Sequence, residues 1–127
     1  IAACPVNGPA IAARGDTVVV AWFTAPDRPR VRLAFSADGG RRFAPPIEVA
    51  SGAVIGRVDV VLLADGRALV SWLATAGAAA AIRVQPFTPA GPAGPGVDVA
   101  AAHVARSFAW TETSPDPAVR TAFAPLR

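Results

Sequence analysis

Arginine and aspartate carry most of the chemistry open to this chain. All 12 basic residues are Arg and nine residues are acidic, against one His, one Cys and no Tyr. Arg32, Arg83 and Arg120 recur at equivalent places, and a guanidinium can grip a carboxylate through two parallel N–H···O bonds. Asn7, Arg57 and Asp59 are polar residues at the starts of apolar runs, which makes them candidates for ligand binding. Arg57 and Asp59 are two apart, so a regular strand would put them on one face, within reach of each other or of a ligand. Ser36, Asp38, Arg41 and Arg42 fall within one short stretch that has the residue types of a site. Its Gly39-Gly40 step between two apolar runs describes a turn instead, with the Asp38 carboxylate folded back onto backbone N–H groups. Cys4 is alone, which excludes an internal disulfide and a Cys-based metal centre. It reads as a small buried hydrophobe, or as half of a bridge to an upstream segment. His103 reads as a surface or loop residue. These residues imply no metal and no cofactor.

Composition removes other classes. The isoelectric point is about 11.0, yet the net charge is only +3 and the Arg residues are scattered among the acids. There is no basic stripe of the kind that binds nucleic acid. No stretch reaches the roughly 20 apolar residues of a membrane span. The chain starts at Ile1 without a charged-then-apolar leader, so it reads as a processed product or an excerpt, with any export signal upstream. Its 127 residues amount to one domain or part of one.

The elements that must position these side chains are short strands. Residues 8–13 read as a first strand, 14–16 as a turn, and the β-branched run 17–24 as a second strand. Ala25-Pro26-Asp27-Arg28-Pro29 is a loop by its prolines. Residues 31–35 and 47–50 form a third and a fourth strand around the turn at 36–43, whose Phe43 returns an aromatic to the core side. The pattern then restarts at Gly56. Residues 57–63 read as strand, 64–67 as turn, 68–73 as a strand that contains Trp72, 76–80 as a small-residue loop, and 82–87 and 97–100 as strands. Thr88-Pro89-Ala90-Gly91 stands where Ser36-Ala37-Asp38-Gly39 stood, with the Asp lost. Residues 107–112 and 119–123 repeat the second and third strands around a loop at 114–117.

Three repeats therefore follow one another, over 5–50, 56–100 and an incomplete 101–127. Trp22 and Arg32, Trp72 and Arg83, and Trp110 and Arg120 are separated by 10, 11 and 10 positions. Val99 to Trp110 spans 11 positions where Val49 to Trp72 spans 23, so the third unit lacks a strand and its turn. Four-strand units of about 40–50 residues are the signature of propeller blades. The fold expected is all-β, a partial β-propeller of four-stranded antiparallel meanders, with a β-sandwich as the alternative. The in-phase Trp residues then belong to the packing between blades, not to sugar-stacking platforms. The recurrent Arg residues lie on third strands, about 9–10 Å from the innermost strand at about 4.8 Å per strand, too far out to meet over a central channel. Asn7, Arg57 and Asp59, at the starts of innermost strands, are better placed. Glu48 and Glu112 have no identifiable partner.

The pattern Ser36-x-Asp38-x-Gly40-x-x-Phe43 resembles the Asp box of the bacterial neuraminidase repeat, found in sialidase-like β-propellers. The resemblance implies a structural role for Ser36, Asp38, Gly40 and Phe43, at the outer hairpin of a blade and remote from the channel. It also implies an extracellular or periplasmic setting. Sialidases clamp a substrate carboxylate with three Arg, attack with a Tyr activated by Glu, and use an Asp as acid/base, outside the usual two-carboxylate scheme. With no Tyr, these residues cannot supply that nucleophile. The function implied is a non-catalytic scaffold that binds a glycan or a protein through its channel face. The alternative is the C-terminal part of an exo-sialidase whose catalytic residues lie upstream. Two and a half blades leave open edges, so further blades or a second copy are expected to cover them.

Overall fold

The computed structural model describes residues 8–76, 79–103, 107–112 and 118–123. These residues form an all-β structure without a helix, in which every strand pairing is antiparallel. Strands β1 (Ala10–Arg14), β2 (Thr17–Thr24), β3 (Arg30–Ser36) and β4 (Ile47–Ser51) make a four-stranded meander in chain order. A five-stranded sheet follows, from β5 (Val54–Leu62), β6 (Ala68–Ala76), β7 (Ala79–Thr88), the two-residue β8 (Gly91–Pro92) and β9 (Val97–His103). Its order is β5-β6-β7-β8, with β9 also pairing β7. Strands β10 (Ser107–Glu112) and β11 (Ala118–Phe123) pair as a two-stranded sheet.

Local chemistry accounts for most of these boundaries. β2 is a β-branched and aromatic run, suited to a half-buried pleated surface. The two residues between Arg14 and Thr17 close the first hairpin, and Gly15 takes a φ of 58° there, as tight hairpin turns require. The second sheet departs from expectation at two places. Of the small-residue loop expected at 76–80, residues 77 and 78 lie outside the described residues, while Ala76 ends β6 and Ala79 and Ala80 begin β7, with Thr75 opposite Ala80. Alanine has weak strand preference, but ladder bonds from β6 and β9 on both sides of β7 override it. β5 begins at Val54, ahead of Arg57, and is irregular between Gly56 and Asp59. His103 ends strand β9 rather than lying in a loop.

One core joins the two large sheets. Val19, Ala21, Val31, Leu33 and Phe35 come from one face of the first sheet, and Val54, Val60, Ala68, Val70, Trp72 and Phe87 from one face of the second. Leu33 and Phe87 are fully buried, and each such burial is worth about 1.5–3 kcal/mol. The contact runs through β5, which packs against β1, β2 and β3. Between β4 and the β7–β9 side the sheets enclose a cleft instead. They meet at the early strands and part toward the late ones.

Register shows which faces meet. Trp22 lies opposite Arg32, Trp72 opposite Arg83, and Trp110 opposite Arg120, so the repeat seen in sequence is a repeat of cross-strand pairs. Since alternate residues point to opposite faces, Trp22 shares its face with Val20 and Ala34, away from the Val19 and Leu33 face that forms the core. Trp72 shares its face with Val70 and is 3% exposed within that core. The Trp-bearing face of the second sheet thus packs on the opposite face of the first. Equivalent faces follow one another head to tail.

Phe43 corrects an expectation. It does not reach the core; it is 43% exposed and lies with Pro45 and Pro46 over the Trp22 face. The turn that carries it folds over the side of β3 opposite Leu33.

Candidate functional site: an inter-sheet cleft

The Ser36-to-Phe43 stretch is the most fully bonded turn among the described residues. Ser36 is buried at 3% exposure. Its Oγ donates to Asp38 Oδ1 at 2.8 Å and accepts from the Gly40 N–H at 3.0 Å. Asp38 Oδ1 also accepts from the Arg42 N–H at 2.9 Å. Gly39 and Gly40 have φ of 72° and 85°, a region that residues with a Cβ rarely enter. The Gly39 N–H donates to the Asp16 carbonyl at 2.8 Å, tying this turn to the β1–β2 hairpin. The Arg42 N–H and then the Ser36 hydroxyl hold the Asp38 carboxyl below its ordinary value. An acid whose charge is already satisfied by its own turn is a poor proton donor. Within this turn Ser36 and Asp38 are engaged with each other and with their own backbone.

Three candidate ligand residues fare differently. Asn7 lies outside the described residues. Arg57 and Asp59 are both exposed, but they do not sit on an ordinary strand. Arg57 has a left-handed φ of 54°, and the register shifts between Gly56 and Asp59. That irregularity breaks the alternation which placed the two on one face. The Asp59 carboxylate accepts from the neighbouring Val60 N–H at 2.8 Å, a local backbone role.

The recurrent Arg residues do not converge. Arg32 lies on the outward Trp22 face and Arg83 on the inward Trp72 face, so they serve different spaces. Glu48, expected to lack a partner, stands between Arg28 at 3.9 Å and Arg30 at 3.7 Å.

Arg83 instead belongs to the cleft between the two sheets, of about 490 Å³. The buried Trp72 forms its floor, and Ser51, Thr75, Arg83, Gln85 and Asp98 bring hydroxyl, guanidinium, amide and carboxylate groups to its walls. Arg83 is bidentate to Asp98, with Nε to Oδ1 at 2.7 Å and Nη2 to Oδ2 at 3.1 Å. The bond to Arg83 lowers the Asp98 pKa, and the same bond raises that of Arg83. Gln85 Nε2 donates to the Gly94 carbonyl at 2.9 Å, which fixes the amide. Such a cleft presents donors and acceptors in pairs over an aromatic floor, a lining suited to a small polar ligand. Among its described lining residues no side chain is paired with a base as a nucleophile would be. Among the described residues no group of three or more His, Cys, Asp or Glu could hold a metal ion, and no helix is long and apolar enough to cross a membrane.

The sequence reads Arg83 as one of three equivalent arginines, solvated or between blades, and spacing alone does not show the cleft that the second of those places forms. A signal was present. Asp98 aligns with Glu48 in the repeat, and each falls opposite the recurrent Arg of its own sheet. Compared with protein-family models, with curated proteins and with solved structures, the chain matches none.

Proposed function

We propose that this chain is an arc of a sialidase-like, Asp-box β-propeller that acts as a non-catalytic scaffold, with the cleft around Arg83, Asp98 and Gln85 as its ligand site. The observation that carries the reading is the head-to-tail order of equivalent faces. Successive blades of a propeller are related by rotation about one axis, so the Trp face of each meets the other face of its neighbour. Two equivalent sheets closed as a symmetric sandwich would bring like faces together. The bonded turn at Ser36, Asp38 and Gly40 supports the same reading, as does the widening of the gap toward the late strands. Propellers close with about 4–8 blades, so these units occupy part of a ring.

The ligand class that suits the cleft is a glycan: hydroxyls can bond both members of the Arg83 and Asp98 pair and the Gln85 amide, above Trp72. A carbohydrate titration followed by amide NMR tests this, using sialylated and neutral oligosaccharides in parallel with a fluorogenic sialoside assay. Shifts confined to residues around Arg83 and lost in Arg83→Ala, without turnover, are expected. Turnover of the sialoside by the 127-residue chain, or binding indifferent to Arg83→Ala, would overturn the reading.

A further inference from the structure

The cleft between the two large sheets holds one charged pair. Among the described residues that line it, only Arg83 and Asp98 are charged, and they stand directly opposite each other on β7 and β9. Their two bonds use one edge of the guanidinium, Nε and Nη2, and both carboxylate oxygens. A paired edge of this kind is what an arginine offers to a ligand carboxylate. Asp98 therefore occupies the seat that an acidic sugar would take. Repeat position alone does not produce such a pair. In the first sheet Arg32 stands opposite Glu48, yet Glu48 lies within 3.9 Å of Arg28 and 3.7 Å of Arg30. Arg30, Arg32 and Glu48 share the outward Trp22 face by register, so they bring no charge to the cleft.

The closed pair sums to no net charge and sets donors beside acceptors. The guanidinium keeps N–H groups outside its two bonds, and each Asp98 oxygen keeps a lone pair. A sugar hydroxyl both donates and accepts, so neighbouring hydroxyls can bridge the two side chains. An ionised carboxylate only accepts. At the remaining Arg83 N–H groups it would lie beside the Asp98 carboxylate, and like charges set side by side are costly. Displacing Asp98 is no easier. As the cross-strand partner of Arg83, Asp98 competes at the high effective concentration of a tethered group. The other polar lining groups, on Ser51, Thr75 and Gln85, are uncharged and offer an acid no second cation. We propose that Asp98 sets the specificity of this cleft, so that it takes neutral polyhydroxylated sugars and rejects acidic ones. The inference rests on the cleft being a glycan site and adds the class of glycan.

Matched sugars that differ by one acid group test the proposal, with amide NMR shifts around Arg83 as the readout. Lactose is set against sialyllactose, and cellobiose against cellobiouronic acid. The wild-type chain is expected to bind the neutral member of a pair about tenfold or more tightly than the acidic one. Asp98→Asn keeps the shape of the side chain at an exposed position and removes its charge. It should tighten the acidic sugar, weaken the neutral one and so reverse their order. Asp98→Glu restores the charge and should return the neutral preference. A wild-type chain that prefers the acidic sugars overturns the inference and leaves the cleft a glycan site. Equal weakening of both sugars in Asp98→Asn also overturns it, since Asp98 would then only support the strand. Shifts with none of the four sugars in the wild type would remove the glycan site itself, and the inference with it.

Discussion

Trp22 and Trp72 hold the same place in two successive sheets, each on the second strand and each opposite the recurrent Arg. Trp72 is 3% exposed and part of the core; Trp22 is half-buried and floors an open groove. Nothing in the residues themselves causes the difference. The first sheet supplies a cover for Trp72, and among the described residues no sheet covers Trp22. A repeated position thus acquires its energetic weight from the neighbour that follows or precedes it, as expected where each unit contacts only its neighbours.

The largest expected effect tests this directly. Trp72→Ala removes a large side chain from the core and should cost about 3–5 kcal/mol, read as a shift in the urea midpoint. Trp22→Ala should cost about 1 kcal/mol or less in dilute solution. Equal losses would erase the contrast between the two sheets.

The two third-to-fourth-strand turns form a second pair to compare. Ser36 is buried and bonds both Asp38 and Gly40, so Ser36→Ala leaves partners unsatisfied, at about 1–3 kcal/mol. In the degenerate copy, Thr88 makes a single longer bond to the Gly91 carbonyl at 3.3 Å. Thr88→Ala should stay within about 0.5 kcal/mol. A larger loss at Thr88 than at Ser36 would show that the degenerate turn carries the hairpin as firmly as the intact one.

The acids of these units separate by pH and by salt. Asp38 has a lowered pKa, chiefly from the Arg42 N–H and the Ser36 hydroxyl. Its unfolded value is near the ordinary carboxylate pKa of about 3.9, so the unfolded chain binds its proton first as pH falls. The stabilisation from Asp38 is full above that value and is lost as pH drops through the lower folded value. Asp38→Asn should therefore lose less stability than wild type between neutral pH and about pH 3. Asp98 is lowered by Arg83 instead, and both side chains are about half exposed, at 43% and 46%. Added salt should reduce the small stabilisation lost in Asp98→Asn and leave the Asp38→Asn difference nearly unchanged. Identical salt responses would assign both carboxylates to the same kind of interaction.

The strands were legible because β-branched runs and Gly or Asp turns punctuate them, as at β2 and at Asp65-Gly66. The turn at residues 36–43 was legible because its Ser, Asp and Gly act on their own backbone, over a distance that sequence spacing measures. What escaped depended on contacts between units. Phe43 reads as a core residue in sequence, whereas it lies over the Trp22 face, which no described sheet covers. Ala76, Ala79 and Ala80 read as loop in sequence because alanine has little strand preference of its own, and pairing with neighbouring strands extends the ladder to them. Regular alternation puts Arg57 and Asp59 on one face, and the irregular β5 breaks that alternation. The cleft at Arg83 went unseen because it is made by two sheets, not by one motif.

The central claim is that equivalent faces follow head to tail, with the Trp72 face closed and the Trp22 face open. Acrylamide quenching of two single-tryptophan chains, Trp22→Phe with Trp110→Phe and Trp72→Phe with Trp110→Phe, measures it at concentrations where the chain is dilute. The retained Trp72 should emit to the blue and resist quenching at every concentration. The retained Trp22, half-buried beside an open groove, should be quenched more readily than the retained Trp72. Equal protection of both tryptophans in the dilute chain, or a Trp72 more accessible than Trp22, would contradict the account.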